Sequence, residues 1–317
     1  MPTEHQLETP VQPDVSRMPV RQLAAPRNVL FAGIVAASAI AFLTPLRNWV
    51  ALSMGSDEYS YLVLIPAMVL GLLWLERIRI FRDVRYSPGA GTFLLLAGFA
   101  TAAAGDLFSR SLGGETRLAV EFVGLNVVWI GGFVLCYGTK TARAGTFALL
   151  FSFLLVPLPH SLMDQPIALV QHGSADVTNF LFNVFGLPVF RNGLTFSLPR
   201  LNFIVAQECS GIHSTIALFI AAVIASHFYL KAGWKTLLLV LLVLPIVCFT
   251  NGLRMFILAT LAVYVNPAFF HGNLHHKGGA VFFVLALVIL FFIAKLLRRL
   301  SPVQGTVKPF PGESPAA

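Results

Sequence analysis

Three polar side chains interrupt otherwise apolar sequence: Cys209 in Glu208-Cys-Ser-Gly-Ile-His-Ser214, Arg254 in Asn251-Gly-Leu-Arg-Met-Phe-Ile257, and His275 in Phe270-His-Gly-Asn-Leu-His-His-Lys-Gly-Gly279. Cys209 stands at the start of an apolar run. If a helix begins there, the peptide N–H groups of Ser210, Gly211 and Ile212 point back at the sulfur, favouring a thiolate and supplying donors for an oxyanion. The competing reading is a buried small hydrophobe. Arg254 is flanked by apolar residues, and a cation at the bilayer centre costs roughly 2.5–3.5 kcal/mol on insertion scales. It reads either as a fixed donor to a developing oxyanion or a substrate carboxylate, oriented by Asn251 one turn earlier, or as a side chain snorkelling to lipid phosphate. A neutral His275, with His276 as the alternative, suits the deprotonation of a thiol within hydrogen-bond reach; otherwise these are solvated loop histidines. His271 and His275 have the i,i+4 spacing of metal ligands. The intervening glycine disfavours helix and no carboxylate or cysteine lies near, so no metal is expected. Nucleophile, electrostatic stabiliser and base form an acyl-transfer set that requires no cofactor.

Other polar residues have milder readings. His213 suits a hydrogen-bonded core position, Glu208 is expected to face water or a basic partner, and Cys136 and Cys248 read as packing residues. Asp57, Glu58, Asp106 and Glu115 read as solvated outer-loop carboxylates. Three cysteines exclude a disulfide framework, and none has zinc-site spacing.

The elements that must position these groups follow from composition. The 317-residue chain is 56% hydrophobic and 11% charged, with a mean hydropathy of +0.78. A soluble domain carries about a quarter charged residues, so an ordinary water-soluble enzyme is excluded. Apolar runs at about 29–45, 61–75, 89–104, 118–137, 146–158, 212–230, 237–265 and 279–297 predict an all-α polytopic membrane bundle of about eight transmembrane helices. The bundle occupies 28–300 between disordered cytoplasmic tails, 1–27 and 301–317. The net charge of +8 is distributed between the runs, so it reads as a topology signal and membrane lipid, not nucleic acid, is the expected partner. With both termini cytoplasmic, 15 of the 22 Lys and Arg fall inside, and Cys209, Arg254 and His275 all map to the outer face. The run 237–265 is about 43 Å long as one helix, against a core of about 30 Å, so it must tilt, protrude or break, at Pro245 or Asn251–Gly252. Between spans five and six, Leu162, Ile167, Val170, Val177 and Leu181 recur at helical spacing, predicting an interfacial amphipathic helix. The alternation around Asn192–Gly193 predicts a type I′ hairpin. Together these form a small periplasmic cap.

At these motifs the chain resembles the exosortases and archaeosortases, multi-spanning cysteine transpeptidases or proteases. The resemblance runs from about Asp57 to Phe292 and rests on Glu208-Cys-Ser-Gly-Ile212, Asn251-Gly-Leu-Arg254 and His275 four residues before Gly279. Supporting it are Glu58-Tyr-Ser60 leading into Leu64-Ile-Pro66, Pro157-Leu-Pro159, and Asn192-Gly-Leu. It implies that Cys209 is the nucleophile, Arg254 stabilises the tetrahedral intermediate and His275 is the acid/base, with Ser210, Gly211 and Asn251 in support. It also implies a bacterial inner-membrane location, a periplasmic active site and, as partners, exported proteins bearing a C-terminal tail. That tail has a short motif such as Pro-Glu-Pro, a hydrophobic helix and a basic cluster, and such enzymes are often tied to exopolysaccharide production. The chain departs from the family at Tyr59-Ser-Tyr61, where many members read Tyr-Ser-His, and at Gly279-Ala-Val, where an aromatic commonly follows the glycine. The competing function is a transporter or polysaccharide-export component binding an anion through Arg254 and the histidines; a noncatalytic scaffold is a third reading.

Overall fold

The computed structural model describes residues 26–108, 113–199, 201–205, 212–230, 233–266 and 279–300, so the expected tails lie almost wholly outside the described residues. It is an all-α membrane-type bundle with one small sheet. Among the described residues five helices are long and apolar enough to cross a bilayer, or up to seven if each of two bent helix pairs is one span. The run expected at 212–230 is described as a shorter apolar helix, Ser214–Tyr229.

The chain divides into two compact units, Met1–Leu52 with Leu62–Pro157, and Ser53–Tyr61 with Leu158–Ala317. The first contains α1 (Pro26–Ala41), most of α2 (Leu43–Gly55), α3 (Ile65–Leu75), α4 (Arg77–Ile80), α5 (Pro88–Leu107), α6 (Gly114–Tyr137), α7 (Thr139–Ala144) and α8 (Thr146–Phe151). A 3-10 turn, Ser152–Leu155, follows α8. The bend of 79° between α1 and α2 has a local cause. Pro45 has no N–H for the carbonyl of Ala41, four residues back, and its ring crowds that carbonyl.

The core of this unit is the α5/α6 pair. Gly91, Gly98 and Gly105 of α5 are seven residues apart and face Leu135, Gly124 with Val128, and Val120 of α6. A Cβ on Gly98 would lie 2.7 Å from the Gly124 carbonyl oxygen, and one on Gly124 would lie 2.7 Å from the Ala102 nitrogen. Lipid gives apolar side chains no hydrophobic reason to leave it, so association depends on this close backbone approach. Alongside, Tyr137 Oη donates to Asn28 Oδ1 (2.9 Å) and Trp129 Nε1 to Ser38 Oγ (3.0 Å), joining α1 to α6.

The arginine-bearing ends of this unit gather together. Arg79 donates to the Ala144 carbonyl (3.2 Å), and Asp83 accepts from Lys140 (3.0 Å) and Arg85 (3.2 Å). The Lys140 hydrogen bond and charge, with Arg85 beside them, hold the Asp83 carboxyl below its ordinary range. At the other end Arg117 pairs with Asp106 (2.7 Å) and the buried Glu121 (2.7 Å). Asp106 is therefore ion-paired, not merely solvated. In between, Asn126 Nδ2 donates to the Ser152 carbonyl (2.6 Å) and Asn126 Oδ1 accepts from Ser152 Oγ (2.7 Å), fixing the 3-10 turn. Trp49 caps that turn at Leu155 (2.9 Å) while its ring stacks on Phe122 at 5.6 Å.

The second unit contains α9 (His160–Val184), β1 (Phe190–Asn192), β2 (Thr195–Leu198), β3 (Leu201–Ile204), α10 (Ile212–Tyr229), α11 (Gly233–Leu241), α12 (Val243–Tyr264) and α13 (Gly279–Arg299). The long run 237–265 is divided at Leu242. Pro245 deprives the Leu241 carbonyl of its partner, as Pro45 does for Ala41, whereas Asn251–Gly252 stays helical.

The hairpin forms with a different turn. Asn192 pairs with Thr195, leaving Gly193-Leu194 as the loop, and Gly193 has φ +61°. No described non-glycine residue has positive φ, which excludes type I′; glycine at the first loop position is the type II′ pattern. β3, not anticipated, pairs with β2, and Phe196 stacks on Phe203 at 5.1 Å. The amphipathic helix also forms, but its buried stripe is Met163, Ile167, Val170, Ser174, Thr178 and Phe182, with Leu162 exposed. This stripe packs on protein along α12.

The glycine seam of α5 and α6 sets a test. Replacing Gly98 by Val should lower the unfolding free energy by about 1–3 kcal/mol, the usual cost of overpacking, whereas Gly71→Val meets nothing within 4 Å and should change it little. Thermal unfolding in detergent measures both; equal effects would mean that α5 and α6 are not in close contact.

Candidate active site

Two ends of the second unit are fixed by its side chains. At one end Lys235, buried at the start of α11, donates to the Leu297 carbonyl in the last turn of α13 (2.8 Å), and Arg298 lies over Tyr229 at 5.9 Å. The lysine satisfies an orphan carbonyl and meets the negative end of the helix dipole. From there Arg254 is 19 residues along α11 and α12, and Gly279 is 18 residues back along α13. At 1.5 Å per residue both stand about 27–29 Å away, near one membrane thickness.

At that level Arg254, Asn251 and Thr250 of α12, Ser214 of α10 and Gly279 and Phe283 of α13 line a cavity of about 20 Å³. That is room for about one water molecule. A Cβ on Gly279 would lie 3.8 Å from Arg254 Nη1, so the guanidinium rests directly against the first turn of α13. Arg254 Nε is buried with no acceptor of its own, while the side chain interacts elsewhere. Thr250 Oγ1 is turned to its own helix, at the Ile246 carbonyl (2.9 Å).

α9 braces the α12 segment. Gly173 faces Cys248, Ser174 Oγ accepts from Asn251 Nδ2 (3.1 Å), Thr178 Oγ1 donates to the Gly252 carbonyl (3.1 Å) and Phe182 meets Phe256 at 5.2 Å. The pairs advance together, so the two helices run in the same direction. A Cβ on Gly252 would lie 2.7 Å from that of Val177, which is why glycine occurs mid-helix there. Beyond Arg254, Phe256 and Ala259 join Phe182, Phe196, Leu198 and Phe203 in an apolar cluster that carries the sheet. Cys248 packs its sulfur over Gly173 as a filler of space.

Of the expected site residues, Arg254 and Asn251 are brought together with the first turns of α10 and α13. Cys209, Ser210, Gly211, His271, His275, His276 and Glu208 lie outside the described residues, and of His213 only the helical backbone is described. Among the described residues no group of three His, Cys, Asp or Glu side chains is placed to hold a metal. Sequence reasoning missed Ser174, whose partner Asn251 lies on another helix 77 residues along the chain. It also missed that two supporting motifs meet: Tyr59, buried, donates to the Leu158 carbonyl (2.6 Å) within Pro157-Leu-Pro159. Glu58 lies 3.6 Å from His160 Nδ1 and is only partly solvated.

The family model described as transmembrane exosortase matches residues 49–292, most of the chain and every described element of this site. No curated protein and no solved structure matches the chain.

The bond between α9 and α12 is testable. In a double-mutant cycle, Ser174→Ala and Asn251→Leu should couple by about 0.6 kcal/mol and at most about 1.7, the range of hydrogen bonds between membrane helices. Additive losses of unfolding free energy would mean that the contact contributes nothing.

Proposed function

The chain belongs to the transmembrane exosortase family, and on that premise we propose that it is a membrane cysteine peptidase or transpeptidase with Cys209, Arg254 and His275 as its reacting set. The observation that carries the proposal is the cavity shared by Ser214, Arg254 and Gly279. Cys209 precedes Ser214 by five residues and His275 precedes Gly279 by four. An extended chain spans at most about 3.6 Å per residue, so covalent connection alone keeps the thiol and the imidazole within about 18 Å and 15 Å of the cavity wall.

The chemistry follows from these three groups. His275, or His276 beside it, takes the Cys209 proton. The thiolate adds to the scissile carbonyl, and the oxyanion that forms is met by the Arg254 guanidinium and the peptide N–H groups of Ser210 and Gly211. Collapse expels the amine, which recovers the proton from the imidazolium, and leaves a thioester. Water or a surface nucleophile then releases the acyl group. Arginine suits this position because it remains charged in a poorly solvated site and offers several fixed donors. Asn251, tied to Ser174, keeps the helix face that bears Arg254 in place.

The substrates we propose are exported proteins with a C-terminal tail made of a short motif, an apolar helix and a basic cluster. The substrate helix would pack beside the bundle through close contact. The loop-charge distribution supports an inner-membrane location with cytoplasmic termini and a periplasmic site. Anion transport is the less favoured alternative, because Arg254 stands near one end of α13, not midway along it.

Co-expression with a tail-bearing protein from the same genome tests the mechanism. Cys209→Ala should abolish shortening of the substrate, and Arg254→Ala should slow it about 10²–10³-fold, the typical cost of losing an oxyanion donor. Equal cleavage by the Cys209→Ala protein would remove Cys209 as the nucleophile.

A further inference from the structure

The first unit carries a charged surface that the peptidase reading does not use. Between the end of α3 and the segment after α4, Leu75, Glu76, Ile78, Arg79 and Arg82 line an open groove of about 740 Å³, within the usual size of ligand sites. Arg77 borders it, held by its hydrogen bond to the Trp74 carbonyl (2.8 Å) and lying 4.3 Å over the Trp74 ring. Arg79 is fixed by Glu76 (2.6 Å) and by the carbonyl of Ala144 (3.2 Å), the residue that follows the exposed Arg143. Arg79 and Arg82 therefore line the groove, with Arg77 beside them in the chain and Arg143 next to Ala144, against one lining carboxylate, Glu76, which is paired with Arg79. The side chains of Arg82 and Arg143 are exposed and have no ion-pair or hydrogen-bond partner among the described residues.

The rim of the groove is apolar. Trp74, Leu75 and Ile78 are each more than 60% exposed beside the arginines. A soluble anion would have no use for that rim, whereas a lipid places its phosphate and its chains on adjoining surfaces. Tryptophan at this level is also what an interfacial anchor requires.

We propose that this groove binds the headgroup of an anionic phospholipid. Arg82 and Arg143 contact the phosphate, Arg77 and Arg79 supply a preset positive field, and the acyl chains lie over Trp74, Leu75 and Ile78. Basic pockets between membrane helices select anionic headgroups by this combination of charge and adjacent apolar surface.

The full-length protein, delipidated in mild detergent, is titrated with phosphatidylglycerol or with phosphatidylcholine of the same chains, and bound lipid is counted by native mass spectrometry. Phosphatidylglycerol should bind more tightly than phosphatidylcholine. The double variant Arg82→Gln, Arg143→Gln should lose about thirtyfold in affinity, because each basic residue near an anionic surface contributes about fivefold. Thermal unfolding should be unchanged in the lipid-free double variant, since neither side chain has a protein partner there. Equal binding of the two lipids, or undiminished binding by the double variant, overturns the proposal. Displacement of the lipid by millimolar inorganic phosphate also overturns it, showing a free-anion site.

Discussion

The nearness of α9 to α12 at Gly252 governs the geometry of the second unit. With no side chain there, Val177 and the Ser174 carbonyl approach the α12 backbone directly, and the Ser174–Asn251 and Thr178–Gly252 hydrogen bonds become possible. Glycine in a helix interior costs about 1 kcal/mol relative to alanine, so the position is retained for what the approach permits. It sets the face from which Arg254, one half-turn on, is presented to Ser214 and Gly279. Polar groups in this environment must find partners within the protein, and α9 supplies them to α12.

The first unit solves the same problem by another route. Its α5/α6 seam relies on glycines seven residues apart, a spacing that keeps a straight contact line only if the two helices coil gently about each other. Buried polar contacts are then placed at the points where helical regularity fails. Asn126 and Ser152 secure the 3-10 turn, and Trp49 closes it at Leu155. Prolines act as the complementary device: Pro45 accompanies the bend between α1 and α2, and Pro245 a one-residue interruption at Leu242 within an otherwise continuous span, each depriving a carbonyl four residues earlier.

Much of this was legible in the sequence because lipid imposes simple rules. Run length gave the bundle, because each apolar stretch long enough to span lipid forms a helix. Pro245 was among the expected breaks for a recognisable steric reason. The hairpin turn was misassigned by one residue because Asn-Gly is so frequent a type I′ pair; here the strand pairing places Asn192 within β1. β3 escaped notice since Leu201–Ile204 is too short to show alternation. Ser174, Glu121 and the Tyr59–Leu158 bond were illegible because they depend on which distant helix lies opposite, and spacing along one chain does not encode that. Arg254 was found because a cation among apolar residues is costly whatever its neighbours are.

α12 does not end at Arg254. It continues ten residues to Tyr264, about 15 Å, and the sheet packs against this overhang. The cavity therefore lies about 15 Å below the end of α12. The helix that presents Arg254 is thus also the pedestal of the sheet, so a tilt of α12 would carry both together.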